Sequence, residues 1–321
     1  MTTATATATA TATGPSVSVV LPAHRTGPDL DRCLAALDAL SPRPAEVLVV
    51  VDGADPAVVA AARPHASEVL PLAVRGGPAR ARNAGAAHAG GDLLFFVDAD
   101  VELPPRAVAQ VQQRFEERPE LSALIGSYDD EPGAPNFLSQ YKNLLNHHVH
   151  QTARTEGFTF WGACGAVRRQ VFAEAGGFDE SYARPSVEDI ELGYRLRAAG
   201  HRIEVLKDLQ VKHLKRWGAR SLLSADVRDR ALPWSELILR SGRLDDDLNI
   251  DVAARAKVAT TAVLLVLDAP LLRFYARVRG PRFALAAVPW TWFSHAYSGA
   301  AFALALARRA TAGRGPGGGR A

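Results

Sequence analysis

Short apolar runs rich in β-branched residues recur through the first hundred residues of the chain. The clearest are SVSVVLPAH (16–24), EVLVVVDG (46–53) and DLLFFVDAD (92–100), and EVLPLAV (68–74) is a weaker one. Uninterrupted apolar runs of this length are typical of parallel strands that are buried on both faces. Because helical patterns separate the runs, we predict an α/β fold with a mostly parallel sheet sandwiched by helices.

A polar or turn-forming group follows each of the three clearest runs. These groups are Pro22-Ala23, Asp52 and Asp98-Ala99-Asp100. Ligands of open parallel sheets bind beyond the carboxyl ends of the strands, so we expect the three groups to surround one crevice. Aspartate is also an ordinary turn residue, which is the alternative interpretation at each position. Its recurrence at successive strand ends favours a binding site.

Charge and cysteine content exclude several classes of function. The formal net charge is only +3, and no basic run is interleaved with aromatic residues, so nucleic acid is not an expected partner. The two cysteines, Cys33 and Cys164, match no metal-binding spacing and are expected to be free thiols in a reducing compartment. Residues 1–15 form a Thr/Ala-rich lead-in without the pattern of a secretory signal, which predicts a domain facing the cytoplasm.

The carboxylates of Asp98 and Asp100 are separated by one residue at the end of a fully apolar strand. Burying uncompensated acids beside such a strand is costly. Magnesium and manganese ions prefer oxygen ligands, and they commonly take one or two protein carboxylates together with substrate phosphates. The pair therefore predicts a divalent metal site, Mg²⁺ or Mn²⁺, that also holds a phosphorylated substrate.

A second acidic pair, Glu188-Asp189, begins a helical pattern that carries Ile190, Leu192 and Leu196. The helix dipole stabilises an ionised acid at this position. Favourable helix capping is one interpretation of the pair. The other is that one of the two carboxylates removes the proton from an attacking hydroxyl group.

The segment VKHLKRWG places His213 between basic residues on a possible strand. It is either a surface histidine or a third ligand of the same metal. Lys215 and Arg216 would suit the negative charge of a diphosphate. Trp161 and Trp217 are either core residues or flat platforms for a sugar ring.

Residues 136–159 are rich in His, Asn and Gln, and no element is predicted for them. His147, His148 and His150 lie close together within this stretch. A second metal site and a solvated acceptor-binding loop are the two interpretations, and we favour the loop.

The character of the chain changes after residue 257. Residues 258–307 contain two apolar segments, and Phe283 to Ala307 carries no Asp, Glu, Lys or Arg. Membrane-embedded helices, helices lying in the membrane interface and a helical cap buried on the catalytic domain all fit this pattern. We expect a catalytic domain at 16–225, a linker or amphipathic region at 226–257, apolar membrane-associated helices at 258–307 and a flexible tail at 308–321.

Several motifs occur in one order along the chain: SVVLPAHR, VVVDG, PARARNAG, FFVDAD, WGACGAVRR, GGFDE, ED and KHLKRW. In this order they resemble the family 2 glycosyltransferases, which are inverting enzymes with the Rossmann-like glycosyltransferase A fold. The resemblance covers roughly Val17 to Trp217. It departs from the common Asp-Asp-Gly-Ser pattern at Val51-Asp52-Gly53-Ala54. The C-terminal region resembles members that carry membrane segments after the catalytic domain.

The resemblance implies a role for each matched residue. Asp98 and Asp100 correspond to the nucleotide-diphosphate and metal aspartates, with Asp100 as the direct ligand, and His213 to a later metal-binding histidine. Asp189 corresponds to the general base and Glu188 to its neighbour. The residues implied on the nucleotide side are Pro22, Ala23, Asp52, Arg82 and Asn83.

The resemblance implies an enzyme that transfers a sugar from a nucleotide-diphosphate sugar to an acceptor hydroxyl. We expect a lipid-linked or cell-envelope glycan as the acceptor and the cell membrane as the location. Sugar transfer to polyprenyl phosphate is the alternative reaction. A non-catalytic membrane scaffold or sugar-binding protein on the same fold is the alternative of another class.

Overall fold

The computed structural model describes residues 14–242 and 264–312. Within these residues, nine strands form the sheet of an α/β domain. The strands are β1 (Val17–Ala23), β2 (Glu46–Asp52), β3 (Glu68–Leu72), β4 (Leu93–Val97), β5 (Val101–Glu102), β6 (Ala123–Tyr128), β7 (Glu156–Gly157), β8 (Cys164–Arg168) and β9 (Ile203–His213). The four strand positions predicted from the apolar runs are therefore confirmed.

The strand order is β3-β2-β1-β4-β8-β6-β9-β5, and β7 pairs with β9 at the side. Strands β3, β2, β1 and β4 pair in parallel, as does β6 with β9. The β4–β8, β8–β6, β9–β5 and β9–β7 pairs are antiparallel. The prediction of a mostly parallel sheet is correct for the first half of the sheet and wrong for the second, because β8 runs against both of its neighbours.

Helices flank the sheet, as predicted. In the region before residue 225 they are α1 (Pro28–Asp38), α2 (Pro56–Ala62), α3 (Pro78–His88), α4 (Ala107–Glu117), α5 (Phe137–Thr152), α6 (Arg169–Glu174), α7 (Glu188–Ala198) and α8 (Ala219–Ser224). The central strands β1, β2 and β4 are almost entirely buried between the helical layers. This burial on both faces explains why these strands have continuous apolar sequences.

Helix α3 lies unusually close to the sheet because its inner face is small. A Cβ atom added at Gly85 would lie 2.5 Å from Val20 Cγ1 and 3.0 Å from Val50 Cγ2. Only glycine therefore allows this approach without moving the strands. The contact fixes the height of α3 above the sheet, and with it the position of Arg82 on the same helix.

Residues 137–152 form helix α5, so the prediction of a solvated acceptor loop at 136–159 is wrong for most of that stretch. His147 is buried and donates from Nδ1 to the Tyr128 carbonyl oxygen at 2.6 Å. His150 is also buried, and burial lowers its pKa to about 3. The sequence suggested a loop because polar residues alternate with the buried ones, but the polar residues here make long-range contacts.

The chain continues beyond residue 225 as a helical cap. A π-helical segment (Ala225–Ala231) is followed by α9 (Leu232–Ser241), α10 (Leu264–Leu267), α11 (Ala269–Arg279) and α12 (Pro281–Ala312). An apolar cluster joins the cap to α5 through Tyr141, Leu144, Phe274 and Tyr275. The segment predicted as a linker is thus helical as far as Ser241, and its remainder from residue 243 lies outside the described residues.

Helix α12 is long, but its composition is interrupted by Pro289 and polar residues. In the parts of the chain that the structure describes, no helix is both long and apolar enough to cross a bilayer. The helix extends to Ala312, so the first residues of the predicted flexible tail at 308–321 are helical. Residues 1–13, 258–263 and 313–321 carry parts of the predicted lead-in, first apolar segment and tail, and they lie outside the described residues.

Candidate active site

A cavity of about 880 Å³ opens at the carboxyl ends of β1, β2, β4 and β9. The predicted residues that line it are Pro22, Ala23, Asp52, Arg82, Asp98, Asp100, Trp161, Glu188, Asp189, His213, Lys215 and Trp217. The structure therefore brings both acidic pairs and His213 to one place, together with Pro22-Ala23 and Asp52, which the strand-end rule placed with Asp98-Ala99-Asp100 around one crevice. Asn83 and Arg216 are not among the lining residues.

Asp52 ends β2 and is only 7% exposed. Its two carboxylate oxygens accept hydrogen bonds from the backbone amides of Gly76 at 2.7 Å and Gly77 at 2.9 Å. Gly77 has a φ of 86°, a conformation that side chains rarely adopt, and a Cβ there would lie 2.5 Å from the Ala183 carbonyl oxygen. Asp52 therefore shapes this side of the cavity by holding the loop that leads into α3.

Arg82 is the charge at the centre of the site. Its side chain is almost fully buried, with Nη2 2.6 Å from Asp98 Oδ1 and Nη1 2.9 Å from Glu188 Oε1. Gly162 makes room for it, because a Cβ at that position would lie 2.7 Å from the guanidinium carbon. One cation thus links the strand-end acid to the acid that begins α7.

Glu188 and Asp189 have different environments although they are adjacent. Glu188 is 3% exposed, and its second oxygen accepts from the Ser186 amide at 2.8 Å. Burial, followed by the neighbouring charge of Asp189, raises the pKa of Glu188, although Arg82 opposes the shift. Because Glu188 is buried and ion-paired with Arg82, it is suited to hold Arg82 rather than to contact a substrate.

Asp189 is partly exposed at the cavity wall. It accepts hydrogen bonds from the backbone amides of Gly162 at 3.1 Å and Ile190 at 2.8 Å. Burial raises the pKa of Asp189 above its ordinary value, and the charges of Arg82 and Arg230 partly offset that rise. A carboxylate held in place by amides, with a raised pKa and access to the cavity, can accept a proton from a bound hydroxyl group.

Asp100 and His213 form the part of the site that best suits a metal ion. Asp100 Oδ2 lies 3.6 Å from His213 Nε2. Burial opposes ionisation of Asp100, but the charge of His213 in its protonated form, followed by that of Lys215, outweighs it and lowers the pKa of Asp100 to about 2. On the far side of the ring, His213 Nδ1 donates to Asn143 Oδ1 at 2.6 Å. In the neutral form of His213, that bond keeps the proton on Nδ1 and leaves the lone pair of Nε2 available for a cation, as in many metal-bound histidines.

This donor set fits a divalent cation that also takes phosphate oxygens from a substrate. Asp100 and His213 would hold it, whereas Asp98 is bound to Arg82. Among the described residues, no three His, Cys, Asp or Glu side chains come together as a metal cluster. The three-ligand set expected from the sequence, Asp98, Asp100 and His213, is therefore not assembled here.

Aromatic residues support His213 and the cavity floor. The Tyr128 ring stacks on His213 with centroids 4.6 Å apart, and it meets Trp161 edge-on at 4.7 Å. Trp217 is held by α5, because its backbone amide donates to Ser139 Oγ at 2.8 Å. The aromatic rings predicted as sugar platforms do line the cavity, and they are also packed into its wall.

Two sequence predictions do not reach the cavity. Asn83 on α3 donates to the Phe178 carbonyl oxygen and accepts from the Phe178 amide, both at 2.9 Å. It holds the 177–180 loop against α3. Arg216 is exposed and points away from the lining, whereas Lys215 lines the cavity with Nζ 4.3 Å from the Trp217 ring centroid.

Several lining residues were missed by the sequence analysis. They are His24, Arg25, Arg75, Tyr128, Lys142, Arg184, Asp226, Asp229 and Arg230. Arg25 is the last residue of the SVVLPAHR motif at the end of β1, so its position in the sequence was a usable signal. The residues of α5 and the π-helical segment are far from every motif, and no local pattern marks them.

Comparison with known proteins identifies the family. The model for glycosyl transferase family 2 matches residues 18–176, the region that contains the β1, β2 and β4 strand ends. This region of the chain is a family 2 glycosyltransferase domain.

Three curated relatives carry related names. O-antigen biosynthesis protein RfbC of Myxococcus xanthus is 30% identical over 193 residues, which are 56% of this chain and 14% of that protein. Validoxylamine A glucosyltransferase of Streptomyces hygroscopicus subsp. limoneus is 28% identical, and the match covers 58% of this chain and 49% of that protein. N-acetylglucosaminyl-diphospho-decaprenol L-rhamnosyltransferase of Mycobacterium tuberculosis is 27% identical, with 61% and 75% covered. The chain thus spans less than half the length of the first two relatives.

Solved structures agree on the fold. A mannosyltransferase from Pyrobaculum calidifontis, PcManGT, in complex with GDP-Man and Mn²⁺, has a TM-score of 0.62 at 19% identity, with 91% of this chain and 87% of that chain covered. GalNAc-T7 with UDP, GalNAc and Mn²⁺ has a TM-score of 0.50 at 18% identity, with 64% and 44% covered. At these identities the likeness concerns the fold, and it agrees with the predicted glycosyltransferase A architecture.

Proposed function

We propose that the chain is an inverting, divalent-metal-dependent glycosyltransferase that moves a sugar from a nucleotide-diphosphate sugar to an acceptor hydroxyl. One observation carries the proposal: Asp98, Asp100, His213 and the Arg82-linked Glu188-Asp189 pair line a single cavity at the strand ends. This position is where α/β sheets bind ligands. The Mn²⁺ named for both structural neighbours supports the metal, and the GDP-Man of one and the UDP and GalNAc of the other support the donor.

In the proposed reaction, Asp189 accepts the proton of the acceptor hydroxyl. The hydroxyl oxygen forms a bond to the anomeric carbon while the bond from that carbon to the diphosphate oxygen breaks on the opposite face. The configuration is therefore inverted, and the electron pair leaves with the nucleoside diphosphate. A cation at Asp100 and His213 would supply charge neutralisation for this leaving group.

Arg82 has a separate part in this scheme. It holds Asp98 and Glu188 in place from a buried position, so it orients both halves of the site without itself needing access to solvent. Glu188 is buried and ion-paired with Arg82, whereas Asp189 is partly exposed at the cavity wall and has no ion pair within the described part of the chain, so Asp189 is the carboxylate assigned to proton transfer.

The acceptor is proposed to be a lipid-linked or cell-envelope glycan. The printed names of two relatives support this class, one in O-antigen biosynthesis and the other acting on a sugar linked to diphospho-decaprenol. A polyprenyl phosphate acceptor is already ionised and needs no base. The amide-held Asp189, whose pKa is raised by burial, therefore favours a hydroxyl acceptor.

A panel of UDP-, GDP- and dTDP-sugars tests the proposal through release of the nucleoside diphosphate. We expect turnover of at least one donor with Mn²⁺ or Mg²⁺, and loss of that turnover with EDTA or in Asp100→Ala. The exposed Asp31→Ala variant on α1 serves as the control for removal of an acid elsewhere. If no donor is turned over with any metal, the non-catalytic scaffold is the better account.

Membrane association is proposed to occur through the outward face of α12. The large exposed side chains on this helix are Leu285, Trp292, Phe293, Leu304 and Leu306, whereas its buried positions include Ala284, Ala287, Ala301 and Ala305. The large apolar groups thus face away from the protein. Arg282 is exposed at the start of this helix, where it suits anionic headgroups.

Vesicle flotation tests this surface. We expect the full chain to float with vesicles that contain one fifth phosphatidylglycerol, and Trp292→Ser/Phe293→Ser to reduce the bound fraction. Leu223→Ser, which removes an exposed apolar side chain from α8, is the matched control and is expected to bind normally. Equal flotation of the double variant and the wild type would exclude this face as the membrane contact.

A further inference from the structure

The cavity is lined by cations on both sides. On the donor side, Arg25 and Arg75 lie near the ends of β1 and β3, and their charges both act on His24, whose pKa is lowered first by burial and then by them. On the side of α5, β9 and the π-helical segment lie Lys142, Lys215 and Arg230, and Arg184 lies between the two groups in the loop that contacts Gly77. Because β1 and β9 are separated by three strands in the sheet, the two groups serve different parts of a bound substrate.

Two of these cations, Lys142 and Arg184, are paired with carboxylates of the protein. Lys142 Nζ lies 2.6 Å from Asp226 Oδ1, and this carboxylate also accepts from Tyr297 of α12 at 2.6 Å. Arg184 Nη2 lies 3.5 Å from Asp229 Oδ1. Neither cation is therefore available as an uncompensated charge for a ligand.

Lys215 and Arg230 differ in what they face. Lys215 lies against the Trp217 ring, with Nζ 4.3 Å from the ring centroid, and it follows His213 by two residues, at the leaving-group end of the site. Arg230 has neither an ion pair nor a hydrogen bond from its guanidinium to any residue in the described ranges 14–242 and 264–312. Its side chain is exposed to the cavity from the π-helical segment.

Arg230 lies on the side where the acceptor must bind. Ser186 Oγ donates to the Asp229 carbonyl oxygen at 2.8 Å, which holds the residue before Arg230 against the segment that leads into Asp189, and Arg230 lines the same cavity as Asp189. An acceptor hydroxyl bonded to Asp189 brings the rest of the acceptor past Arg230. The π-helical geometry, which is rare and recurs at functional sites, turns Arg230 toward the cavity while Arg228 of the same segment remains outside it.

A second hydrogen-bond donor in the cavity wall, on Trp217, has no partner among the described residues. This donor, the indole Nε1, is buried, although the side chain lines the cavity. Indole N–H and guanidinium groups are donors only, so both require an acceptor oxygen. Trp217 belongs to the apolar cluster against which Ala225, the first residue of the π-helical segment, packs.

We propose that Arg230, with Trp217 Nε1, binds a phosphate group on the acceptor, so that the acceptor is a phosphate ester whose attacked hydroxyl lies near that phosphate. The inference rests on the proposed function for the role of the acceptor, but the phosphate site itself is a property of the cavity. Arginine suits phosphate because its planar fork donates two parallel hydrogen bonds.

The test titrates the full chain calorimetrically with dimethylallyl phosphate, inorganic phosphate and dimethylallyl alcohol. EDTA is present throughout, so that no phosphate binds through a metal at Asp100. We expect both phosphates to bind and the alcohol not to bind. Tighter binding of the ester than of inorganic phosphate identifies a lipid phosphate as the source, whereas equal binding identifies phosphate alone as the recognised group.

Variants locate the site. Arg230→Gln is expected to weaken binding of dimethylallyl phosphate by about tenfold or more, and Arg230→Lys to recover part of that loss because it keeps the charge. Arg228→Gln is the matched control from the same segment and is expected to bind as the wild type does. Undiminished binding in Arg230→Gln, or equal binding of the alcohol, would overturn the proposal.

The donor panel distinguishes this inference from the proposed function. Phosphate binding that depends on Arg230, without turnover of any nucleotide sugar, would reject the enzyme and keep the anion site. Donor turnover with phosphate binding that is independent of Arg230 would keep the enzyme and reject the anion site.

Discussion

The buried cation Arg82 gives the sharpest test of how the site is assembled. Arg82→Met keeps most of the side-chain volume but removes the charge. Glu188, only 3% exposed, then becomes a buried carboxylate without its cation, whereas Asp98, with a third of its side chain exposed, is largely solvated. Removing one partner of a buried pair typically costs about 3–5 kcal/mol. We assign most of that cost to Glu188 and expect the free energy of unfolding to fall by this amount.

Urea denaturation followed by tryptophan fluorescence measures the effect. Arg80→Met, which removes an exposed arginine from the same helix, is the control and is expected to change stability by less than about 0.5 kcal/mol. Arg82→Met/Glu188→Gln is expected to regain part of the loss because no uncompensated charge remains. A loss below about 1 kcal/mol in Arg82→Met would refute the importance of the buried pair.

The deficit in the free energy of unfolding of Arg82→Met, relative to the wild type, is also expected to depend on pH. Burial and the charge of Asp189 already raise the pKa of Glu188, and loss of Arg82 removes the charge that opposes this rise. The native state then keeps a proton that the unfolded state releases, so the free energy of unfolding falls as pH rises above the ordinary glutamate pKa. The deficit should therefore shrink in acid, and a deficit that grows in acid would contradict this explanation.

Three further predictions concern separate parts of the molecule. Asp189→Asn should lower the rate of transfer to an acceptor by about 10²–10⁴-fold with the affinity for the nucleotide sugar unchanged. In the wild type, kcat/KM should decrease as the solution is acidified, and the decrease should begin at a higher pH than for an aspartate with an ordinary pKa. Gly85→Ala should destabilise the protein by about 1–3 kcal/mol by crowding β1, although helix propensity alone predicts a gain of about 1 kcal/mol; a raised Tm would show that the strands move. Asn143→Leu should weaken Mn²⁺ affinity by about tenfold through loss of the bond that orients His213, and unchanged calorimetric affinity would remove Asn143 from that role.

The first half of the fold was predictable because its signals are local. The β1, β2 and β4 sequences are apolar along their full length, since both faces are covered. The β8 strand was not predicted, because CGAVR is short and contains a glycine that close packing requires. A Cβ at Gly165 would lie 2.4 Å from the Trp161 carbonyl oxygen. The β8 strand lies between β4 and β6 and pairs antiparallel with both, and no local pattern encodes these pairings.

The site was predictable as a set of residue types, but its connections were not. Asp98, Asp189 and His213 could be placed from their motifs and from the strand-end rule. Arg82 bridges Asp98, which is 16 residues further along the chain, and Glu188, which is 106 residues further along. The sequence assigned Arg82 only to the nucleotide side, and only the folded chain shows that its charge is buried between two acids.

The cap was the hardest region to predict. Polar residues of α5 and of the C-terminal helices are buried by contacts with each other, as in the Lys142–Asp226–Tyr297 network. Periodicity analysis treats such residues as solvent-exposed, so it indicated a loop at α5 and a linker at the π-helical segment. Arg230 was missed for the same reason, since its position depends on that segment.

The most direct test of the central proposal is the location of Mn²⁺ by anomalous diffraction in crystals grown with a nucleoside diphosphate that supports binding. We expect one ion in the cavity, in direct contact with a carboxylate oxygen of Asp100 and with His213 Nε2, and bridged to the diphosphate. Asp189 should lie on the opposite side of the anomeric position. A nucleotide bound elsewhere, or an ion that contacts neither Asp100 nor His213, would contradict the account.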